Sequence, residues 1–342
     1  MIVFRCNASP AVGIGHLMRC RTLASALRER GVSCVMFGPD EDWRNKADDV
    51  LFDAWLPREW TGSISDARAL AGVCRRFEAS AAVLDDYRVD EEYQLVLRDC
   101  GLKWMQQFNA SAPPPFWGDW VVNAGPRETT ASYANQALNP QTAFLLGPEY
   151  AVIRPSFRNL AARTPSGKIS RILISFGGGD DHGLVTRILS ALIADGPPEV
   201  QYRIMSGRRN PGNVSISAWI EGNAAGRAVL VVDPVDVCSE YQVCDLALIG
   251  GGTSTFEAAA VGMPMIIVAM ANNQINQAQG WQDRGAAIVA GSLDTLQPEE
   301  VVRHVVALCA DPVRIKAMSR AGRASVDGGG CDRLVDRMIG AV

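Results

Sequence analysis

The stretch IVFRCNASPAVGIGHLMRCRTLASALRERGVSCVMF, residues 2–37, predicts a strand, a helix and a second strand. Ile2–Cys6 and Cys34–Phe37 are short apolar runs typical of buried strands. Between them, residues 17–30 have the apolar spacing of a helix, and Gly31 follows where that helix would end. One face of this helix carries Leu17, Cys20, Leu23, Ala24 and Leu27. This order of elements indicates parallel strands joined by a right-handed crossover.

The same alternation continues along the chain and starts again near Arg171. A length of 342 residues favours two domains. The stretch Gly147–Gly167 contains three prolines, so we place the connection there and predict domains at 1–150 and 151–342. The fold class is therefore α/β, with two Rossmann-like, doubly wound domains facing a cleft. Because ligands of such sheets bind beyond the carboxyl ends of the strands, the informative residues should follow strands.

Composition excludes several classes of protein. The net charge of −4 argues against a nucleic-acid binder. The sequence shows no signal peptide and no apolar run near the ~20 residues of a membrane span, so we expect no membrane insertion. Nine scattered cysteines without a C-x-x-C pair suggest reduced thiols in a cytoplasmic protein. Motifs of P-loop NTPases, α/β-hydrolases and zinc metalloproteases are missing from the sequence.

The first candidate site is Gly13-Ile14-Gly15-His16, between the first strand and its helix. Glycines let the backbone approach a ligand, and a helix start offers free N–H groups. The helix dipole disfavours a charged imidazole at this place, which leaves His16 able to accept a proton. A histidine that only packs or caps the helix is the structural alternative. Asp85 and Tyr87, which follow the strand Ala81–Leu84, could orient His16 or a substrate hydroxyl, or simply end that strand.

The second candidate site is Gly250–Glu257, with the sequence GGGTSTFE, directly after the strand Leu246–Ile249. Three glycines and three hydroxyls at a helix start favour a phosphate group, and Glu257 could accept hydrogen bonds from ribose hydroxyls. A capping box of Ser254 and Glu257 would explain those two residues but not the glycines. Asn273 and Gln274 follow the next strand and suit sugar hydroxyls, although one of them would suffice to cap a helix.

A third glycine run, Gly177–Gly179, follows the first strand of the second domain and could line a diphosphate. Asp180, Asp181 and His182 come next, but consecutive side chains do not converge on one metal ion. A glycine turn capped by an aspartate explains those three equally well. His304 is expected to be an ordinary helix residue. We therefore predict no metal and no cofactor.

Taken together, several segments resemble the UDP-2,4-diacetamido-2,4,6-trideoxy-altropyranose hydrolases of pseudaminic acid biosynthesis. The resemblance runs in order over nearly the whole chain, through the segments 13–20, 85–87, 145–155, 175–178, 251–257, 273–274 and 322–330. It implies a glycosyltransferase-B-like fold, metal-independent hydrolysis, His16 as the catalytic residue and Glu257 as the ribose ligand. Many members have an aspartate at the position of Asn7 and a histidine at that of Asp86. These departures bear on the identity of the sugar.

The prediction is hydrolysis of a UDP-linked diacetamido-trideoxy sugar, with His16 activating water and C–O cleavage inverting the anomeric carbon. The alternatives are an inverting UDP-sugar glycosyltransferase, in which His16 deprotonates an acceptor hydroxyl, and a non-catalytic UDP-sugar-binding module. The expected partner is the UDP-sugar alone, and the chain is expected to be a monomer. The predicted substrate-binding residues are Gly13, Gly15, Arg19, Asp85, Tyr87, Arg154, Gly178, Gly252, Thr253, Ser254, Glu257, Asn273 and Gln274.

Overall fold

The computed structural model describes residues 1–9, 13–109, 114–133, 135–158, 160 and 166–340. The chain forms two compact units. The first unit comprises Met1–Pro155 together with the tail from Gly329 onward, and the second comprises Ser156–Gly328. Each unit is a parallel sheet covered by helices.

The first unit contains a seven-stranded parallel sheet with the strand order β3-β2-β1-β4-β5-β6-β7. Its strands are β1 (Ile2–Cys6), β2 (Cys34–Gly38), β3 (Ala54–Pro57), β4 (Ala81–Asp85), β5 (Trp104–Gln107), β6 (Trp120–Asn123) and β7 (Ala143–Leu146). Its helices up to residue 155 are α1 (Gly15–Glu29), α2 (Asp48–Leu51), α3 (Ile64–Arg76), α4 (Glu91–Asp99) and α5 (Thr130–Tyr133).

The second unit contains a six-stranded parallel sheet with the order β10-β9-β8-β11-β12-β13. Its strands are β8 (Arg171–Ser175), β9 (Gln201–Ser206), β10 (Ala228–Val232), β11 (Leu246–Gly250), β12 (Met265–Ala269) and β13 (Ala287–Ser292). Its helices are α6 (Leu184–Asp195), α7 (Asn213–Asn223), α8 (Val237–Gln242), α9 (Ser254–Val261), α10 (Asn273–Asp283), α11 (Pro298–Cys309) and α12 (Pro312–Ser325). The predicted Rossmann-like, doubly wound class is confirmed.

The last helix, α13 (Gly330–Ile339), packs against α1 of the first unit. Its apolar residues Leu334, Val335 and Met338 are buried in the same cluster as Leu23 and Leu27 of α1. Arg30 at the end of α1 also forms ion pairs with acidic side chains of α13. The tail therefore belongs to the first unit, which corrects the predicted range of 151–342 for the second domain.

An unexpected buried charge lies within β1. Arg5 is fully buried among apolar residues and forms a two-point ion pair with Asp66 of α3, with N···O distances of 2.7 and 3.1 Å. Its guanidinium also donates to the main-chain carbonyl oxygens of Arg58 and Glu59. A buried charge is tolerated only when it is paired and hydrogen-bonded in this way. The network fixes α3 and the segment after β3 against the central strand, so we assign Arg5 a structural role.

In both sheets the order of strands reverses between the first and fourth strands of the unit. In the first unit, Cys6 at the end of β1 pairs with Asp85 at the end of β4. In the second, Ser175 at the end of β8 pairs with Ile249 in β11. The loops leaving these neighbouring strands diverge to opposite faces, which creates a crevice at the carboxyl edge of each sheet. Most of the candidate residues follow these four strands, whereas Asn273 and Gln274 follow β12 and Arg154 follows β7.

Candidate active site

His16 occupies the first turn of α1, directly after the glycine loop that leaves β1. Gly13 has φ +79°, a left-handed conformation that suits glycine, and residues 10–12 of the loop lie outside the described part of the chain. The N-cap residue is Ile14 and His16 is the second residue of the helix, so His16 does not serve as the cap. The histidine is 8% exposed. The fold thus holds its ring firmly at the crevice of the first sheet.

The ring of His16 is oriented by Asp85. Nδ1 of the histidine lies 2.7 Å from Oδ1 of the aspartate, and both groups are buried. A carboxylate can only accept, so Nδ1 carries the proton that it donates to Asp85. The neutral ring then presents an unprotonated Nε2, and no described residue is hydrogen-bonded to that atom. A histidine held by a carboxylate in this tautomer is suited to accept a proton.

Arg19, one turn along α1, completes the cluster. Its Nε and Nη2 donate to Oδ2 and Oδ1 of Asp85 at 2.8 and 2.6 Å. Nη2 also lies 3.0 Å from Nδ1 of His16. Because the guanidinium cannot accept a proton and Nδ1 already donates to the carboxylate, we interpret this last distance as proximity rather than a hydrogen bond. Arg19 therefore positions Asp85, which in turn positions His16.

This pairing keeps Asp85 ionised. Burial raises the pKa of Asp85, but the charge of Arg19 and the hydrogen bonds from His16 and Arg19 outweigh that effect and lower the pKa from 3.8 to about 2. Burial lowers the pKa of Arg19, and the neighbouring Asp85 carboxylate more than compensates, so the guanidinium stays charged. Asp85 therefore remains an anion and Arg19 a cation beside His16.

The lowered pKa of Asp85 predicts a specific dependence of stability on pH. Since the folded pKa is below the unfolded value, the ionised carboxylate contributes stability above about pH 4 and loses it as pH falls towards 2. We expect a contribution of about 2 kcal/mol. Urea unfolding of the wild type and of Asp85→Asn between roughly pH 6 and pH 2 measures it. The difference in free energy of unfolding should shrink by that amount, whereas a constant difference contradicts the ion pair.

Tyr87 covers the cluster. Its ring lies 4.7 Å from the ring of His16, between centroids, and 5.5 Å from the guanidinium carbon of Arg19. Burial raises the pKa of the phenol, whose hydroxyl is near Asn109. Tyr87 therefore packs against the ring of His16 at an interplanar angle of 58°, while Asp85 holds that ring by a hydrogen bond. The sequence left these two orienting roles open.

The two positions that depart from the family resemblance have different surroundings. Asp86 is buried, and its carboxylate accepts hydrogen bonds from the side chain and the main-chain N–H of Arg88, at 2.6 and 2.9 Å. It caps its own turn and makes no described bond to His16. Asn7 is half-buried just after β1.

In the second unit, the glycine run follows β11 as predicted, but its residues have different roles. A Cβ atom on Gly251 would lie 3.0 Å from Cβ of Gln274, so this glycine is required for close packing of α10. Gly252 has only an ordinary contact at 3.6 Å with the same glutamine. Its carbonyl oxygen accepts bonds from Thr255 and Gln277, both at 2.8 Å. Packing thus explains Gly251, while Gly252 is available to a ligand.

Helix α9 begins without a capping box. Thr253 is the N-cap residue and makes no side-chain capping bond, and Ser254 is the first helical residue. Since Ser254 is not the N-cap, Glu257 lies at N4, one position beyond the N3 site from which it could complete a box with the N-cap residue Thr253. It is 5% exposed in the first turns of the helix. The structural alternative for Glu257 that the sequence suggested is not formed.

The two amides at the start of α10 also differ. Oε1 of Gln274 accepts the main-chain N–H of Met270 at 3.0 Å, so this side chain closes the turn between β12 and α10. Asn273 is exposed, and the N-cap residue Asn272 makes no side-chain capping bond. Gln277, which the sequence reading missed, binds both Gly252 and Thr255. Its position one helical turn after Asn273 and Gln274 was the available signal.

After β8, the acidic residues have a structural role. Asp181 is buried, and its carboxylate accepts the N–H of Val185 in α6 at 2.9 Å and the side-chain amide of Asn210 at 2.8 Å. Gly178 packs against Gly207. A Cβ atom on Gly207 would lie 2.6 Å from Cα of Gly178. Within the described residues, no group of three or more His, Cys, Asp or Glu side chains could hold a metal ion.

The structure thus gathers the predicted residues into two sets. One set in the first unit joins His16, Arg19, Asp85 and Tyr87 by direct contacts. The other, in the second unit, lies where the glycine run, the start of α9 and the start of α10 meet. Arg154 is half-buried after β7, close to the boundary between the units.

Comparison with known proteins finds relatives by sequence and by structure. No protein-family model matches the chain. Over 196 residues it is 28% identical to the spore coat polysaccharide biosynthesis protein SpsG of Bacillus subtilis (strain 168), which covers 55% of this chain and 56% of that protein. The chain spans about half the length of the curated relatives it matches.

Solved structures are similar over nearly the whole chain. MurG of Acinetobacter baumannii has a TM-score of 0.68 at 17% identity and covers 99% of each chain. A UDP complex of S. aureus MnaA has a TM-score of 0.64 at 12% identity over 98% of this chain and 95% of that one. The spinosyn rhamnosyltransferase SpnG has a TM-score of 0.62 at 15% identity over 98% and 100%.

The fold is of the glycosyltransferase-B kind. At these identities the similarity concerns the fold alone, and it confirms the predicted class. Among the described helices, we find none with the length and apolar character needed to cross a bilayer.

Proposed function

We propose that this protein uses a UDP-sugar and transfers its glycosyl group to a hydroxyl of a carbohydrate acceptor, with inversion at the anomeric carbon. The observation that carries the proposal is the buried arrangement of Arg19, Asp85 and His16, which prepares one ring nitrogen to accept a proton. A module that only binds a nucleotide sugar has no need of such a base. The relation to a polysaccharide biosynthesis protein supports a sugar substrate.

The proposed step balances as a single displacement. Nε2 of His16 removes the proton from the attacking hydroxyl, whose oxygen forms a bond to the anomeric carbon. The bond between that carbon and the diphosphate oxygen breaks, and UDP leaves with the electron pair. Asp85 stabilises the resulting imidazolium, and Arg19 keeps Asp85 ionised throughout.

In this proposal the second unit holds the nucleotide. Free N–H groups at the start of α9, with Thr253 and Ser254, suit the diphosphate. Glu257 would accept hydrogen bonds from the ribose, and Asn273 would reach sugar substituents. The similarity in fold to a protein solved with UDP supports this choice of nucleotide.

Hydrolysis remains the second candidate function. The combined resemblance of the segments around His16, Asp85 and Glu257 to nucleotide-sugar hydrolases favours it. The same base would then act on water, and every other group would keep its role. The glycosyltransferase-B neighbours and the polysaccharide relative favour transfer.

Release of UDP from a panel of UDP-sugars tests both candidates. We expect slow or no release in water alone and clear stimulation by a suitable carbohydrate acceptor. Because a base and a helix start supply the required stabilisation, the rate should be unchanged by EDTA. Full release without any acceptor establishes the hydrolase instead. Loss of activity in EDTA with recovery on adding a divalent ion contradicts the mechanism in either form.

Replacing Glu257 with alanine should weaken UDP binding. Loss of a charge-assisted contact to the ribose is worth roughly 1.5–3 kcal/mol, which corresponds to about 10- to 100-fold in Kd. Titration calorimetry measures the affinity. The matched control is Glu299→Ala, which removes an exposed glutamate from the first turn of α11. Unchanged UDP affinity in a folded Glu257→Ala protein, with only thermal stability reduced, returns Glu257 to a structural role.

A further inference from the structure

Helix α10 holds the turn that joins β11 to α9. Gln274 packs against Gly251, where an added Cβ atom would lie 3.0 Å from Cβ of the glutamine. Gln277 lies nearly one turn further along the same face of α10 and is 4% exposed. Its side-chain nitrogen donates to the carbonyl oxygen of Gly252 at 2.8 Å and to the hydroxyl of Thr255 at 2.9 Å. Two glutamines of one helix therefore fix the turn at successive positions.

The carbonyl oxygen of Gly252 accepts hydrogen bonds from three donors. The N–H and the hydroxyl of Thr255 donate to it at 3.1 and 2.8 Å, and the amide of Gln277 is the third donor. Gln277 also orients the hydroxyl of Thr255, because that oxygen accepts from the amide and so directs its own hydrogen at Gly252. Since Thr255 and Gln277 are both buried, these bonds form inside the second unit.

The direction of this carbonyl determines the direction of the next N–H. In a planar trans peptide, the C=O of one residue and the N–H of the following residue point in opposite directions. Because the C=O of Gly252 points inwards, the N–H of Thr253 points outwards, and it donates to no described residue. Gly252 and Thr253 are only half-buried, so this N–H faces the open side of the turn.

This peptide unit needs to be held, because it follows a glycine. Gly252 has no Cβ atom, so it can adopt main-chain conformations that are closed to other residues. Rotation of the unit by half a turn would present the carbonyl oxygen of Gly252 to a ligand in place of the N–H of Thr253. An N–H attracts an anion, whereas a carbonyl oxygen repels it. The orientation of one peptide therefore decides whether the turn suits a phosphate group.

We infer that Gln277 is a positioning residue for the diphosphate of the substrate. By holding the carbonyl oxygen of Gly252 inwards, it keeps the N–H of Thr253 directed at the phosphate oxygens. The inference rests on the proposed function, since it takes this turn as the place that receives the diphosphate of UDP. The structural alternative is a buried glutamine that only satisfies its polar neighbours, and that alternative predicts a loss of stability without any effect specific to phosphate.

Gln277→Met tests the inference, because methionine has a similar length and volume but no N–H donor. Titration calorimetry gives the Kd of UDP, and ligand-observed NMR gives that of uridine, which has the same base and ribose without phosphate. We expect the Kd of UDP to rise roughly tenfold and that of uridine to change by less than about twofold. Thr255→Val is the second variant. It keeps the shape, removes the hydroxyl donor and should have the same selective effect.

The matched control is Gln279→Met, which makes the same change on α10 at a half-buried glutamine that donates to Asp283. It should leave both affinities unchanged, and thermal unfolding checks the fold of every variant. Glu257→Ala, by contrast, should weaken both ligands, because both contain ribose.

The ratio of the two affinities separates the outcomes. If Gln277→Met and Thr255→Val keep the wild-type ratio, the inference is overturned and Gln277 is a structural residue, while the proposed nucleotide site stands. A wild type that binds UDP no more tightly than uridine overturns the assignment of the diphosphate to this turn, and the inference fails together with it.

Discussion

Replacing His16 with alanine is expected to lower the turnover rate by roughly 10²–10⁴, the usual contribution of a general base. The affinity for UDP should stay nearly unchanged, because the residues proposed to bind UDP belong to the second unit. Steady-state assays of UDP release give the rate, and calorimetry gives the affinity. His16→Gln, which retains a polar side chain but no base, should be equally slow.

His304→Gln is the matched control for His16. It alters a half-buried histidine of α11, one of three histidines in the chain, and should retain normal turnover. Normal turnover in His16→Ala contradicts the general-base hypothesis, whether the acceptor is a carbohydrate hydroxyl or water. A parallel loss of UDP affinity and turnover indicates that His16 supports the fold.

The second large effect is expected for Asp85→Asn. An asparagine has the same shape but can donate its amide N–H to Nδ1 of His16, which stabilises the tautomer with the proton on Nε2. In that tautomer His16 cannot accept the proton of the attacking hydroxyl. We expect turnover to fall by roughly 10²–10⁴ while the KM changes little.

Asp86→Asn is the control for Asp85, because this adjacent and equally buried aspartate binds Arg88. Its turnover should remain close to the wild-type value. If Asp85→Asn is active and Asp86→Asn is not, the orienting carboxylate has been assigned to the wrong residue. Thermal unfolding of both variants separates loss of catalysis from loss of folded protein.

Much of the fold was predictable because parallel strands buried on both faces are nearly all apolar. Among the described residues thirteen strands are present, and twelve of them correspond to strands that the sequence pattern predicts. The exception is β3, a four-residue edge strand whose residues are mostly only partly buried. A strand of this kind has neither a long apolar run nor a clear alternation to reveal it.

The candidate site was predictable in its residues but not in its arrangement. Glycines and polar residues that follow strands identified His16, Asp85 and Glu257 as candidates. The sequence could not choose between Asp85 and Tyr87 as the partner of the ring nitrogen. That choice depends on the pairing of Cys6 with Asp85, which aligns the ends of two strands 79 positions apart. The number of residues between two strands does not determine which of their residues pair.

Three features were decided only by the tertiary structure. Arg5 pairs with Asp66 across 61 positions, Gly251 is small because Gln274 packs against it, and α13 returns to the first unit. The sequence alone determined the local periodicity, the strand–helix alternation and the chemical types at the ends of strands, because these depend on near neighbours. Which buried charge meets which partner, and which helix covers which sheet, depends on long-range packing. Only the folded chain brings those distant groups together.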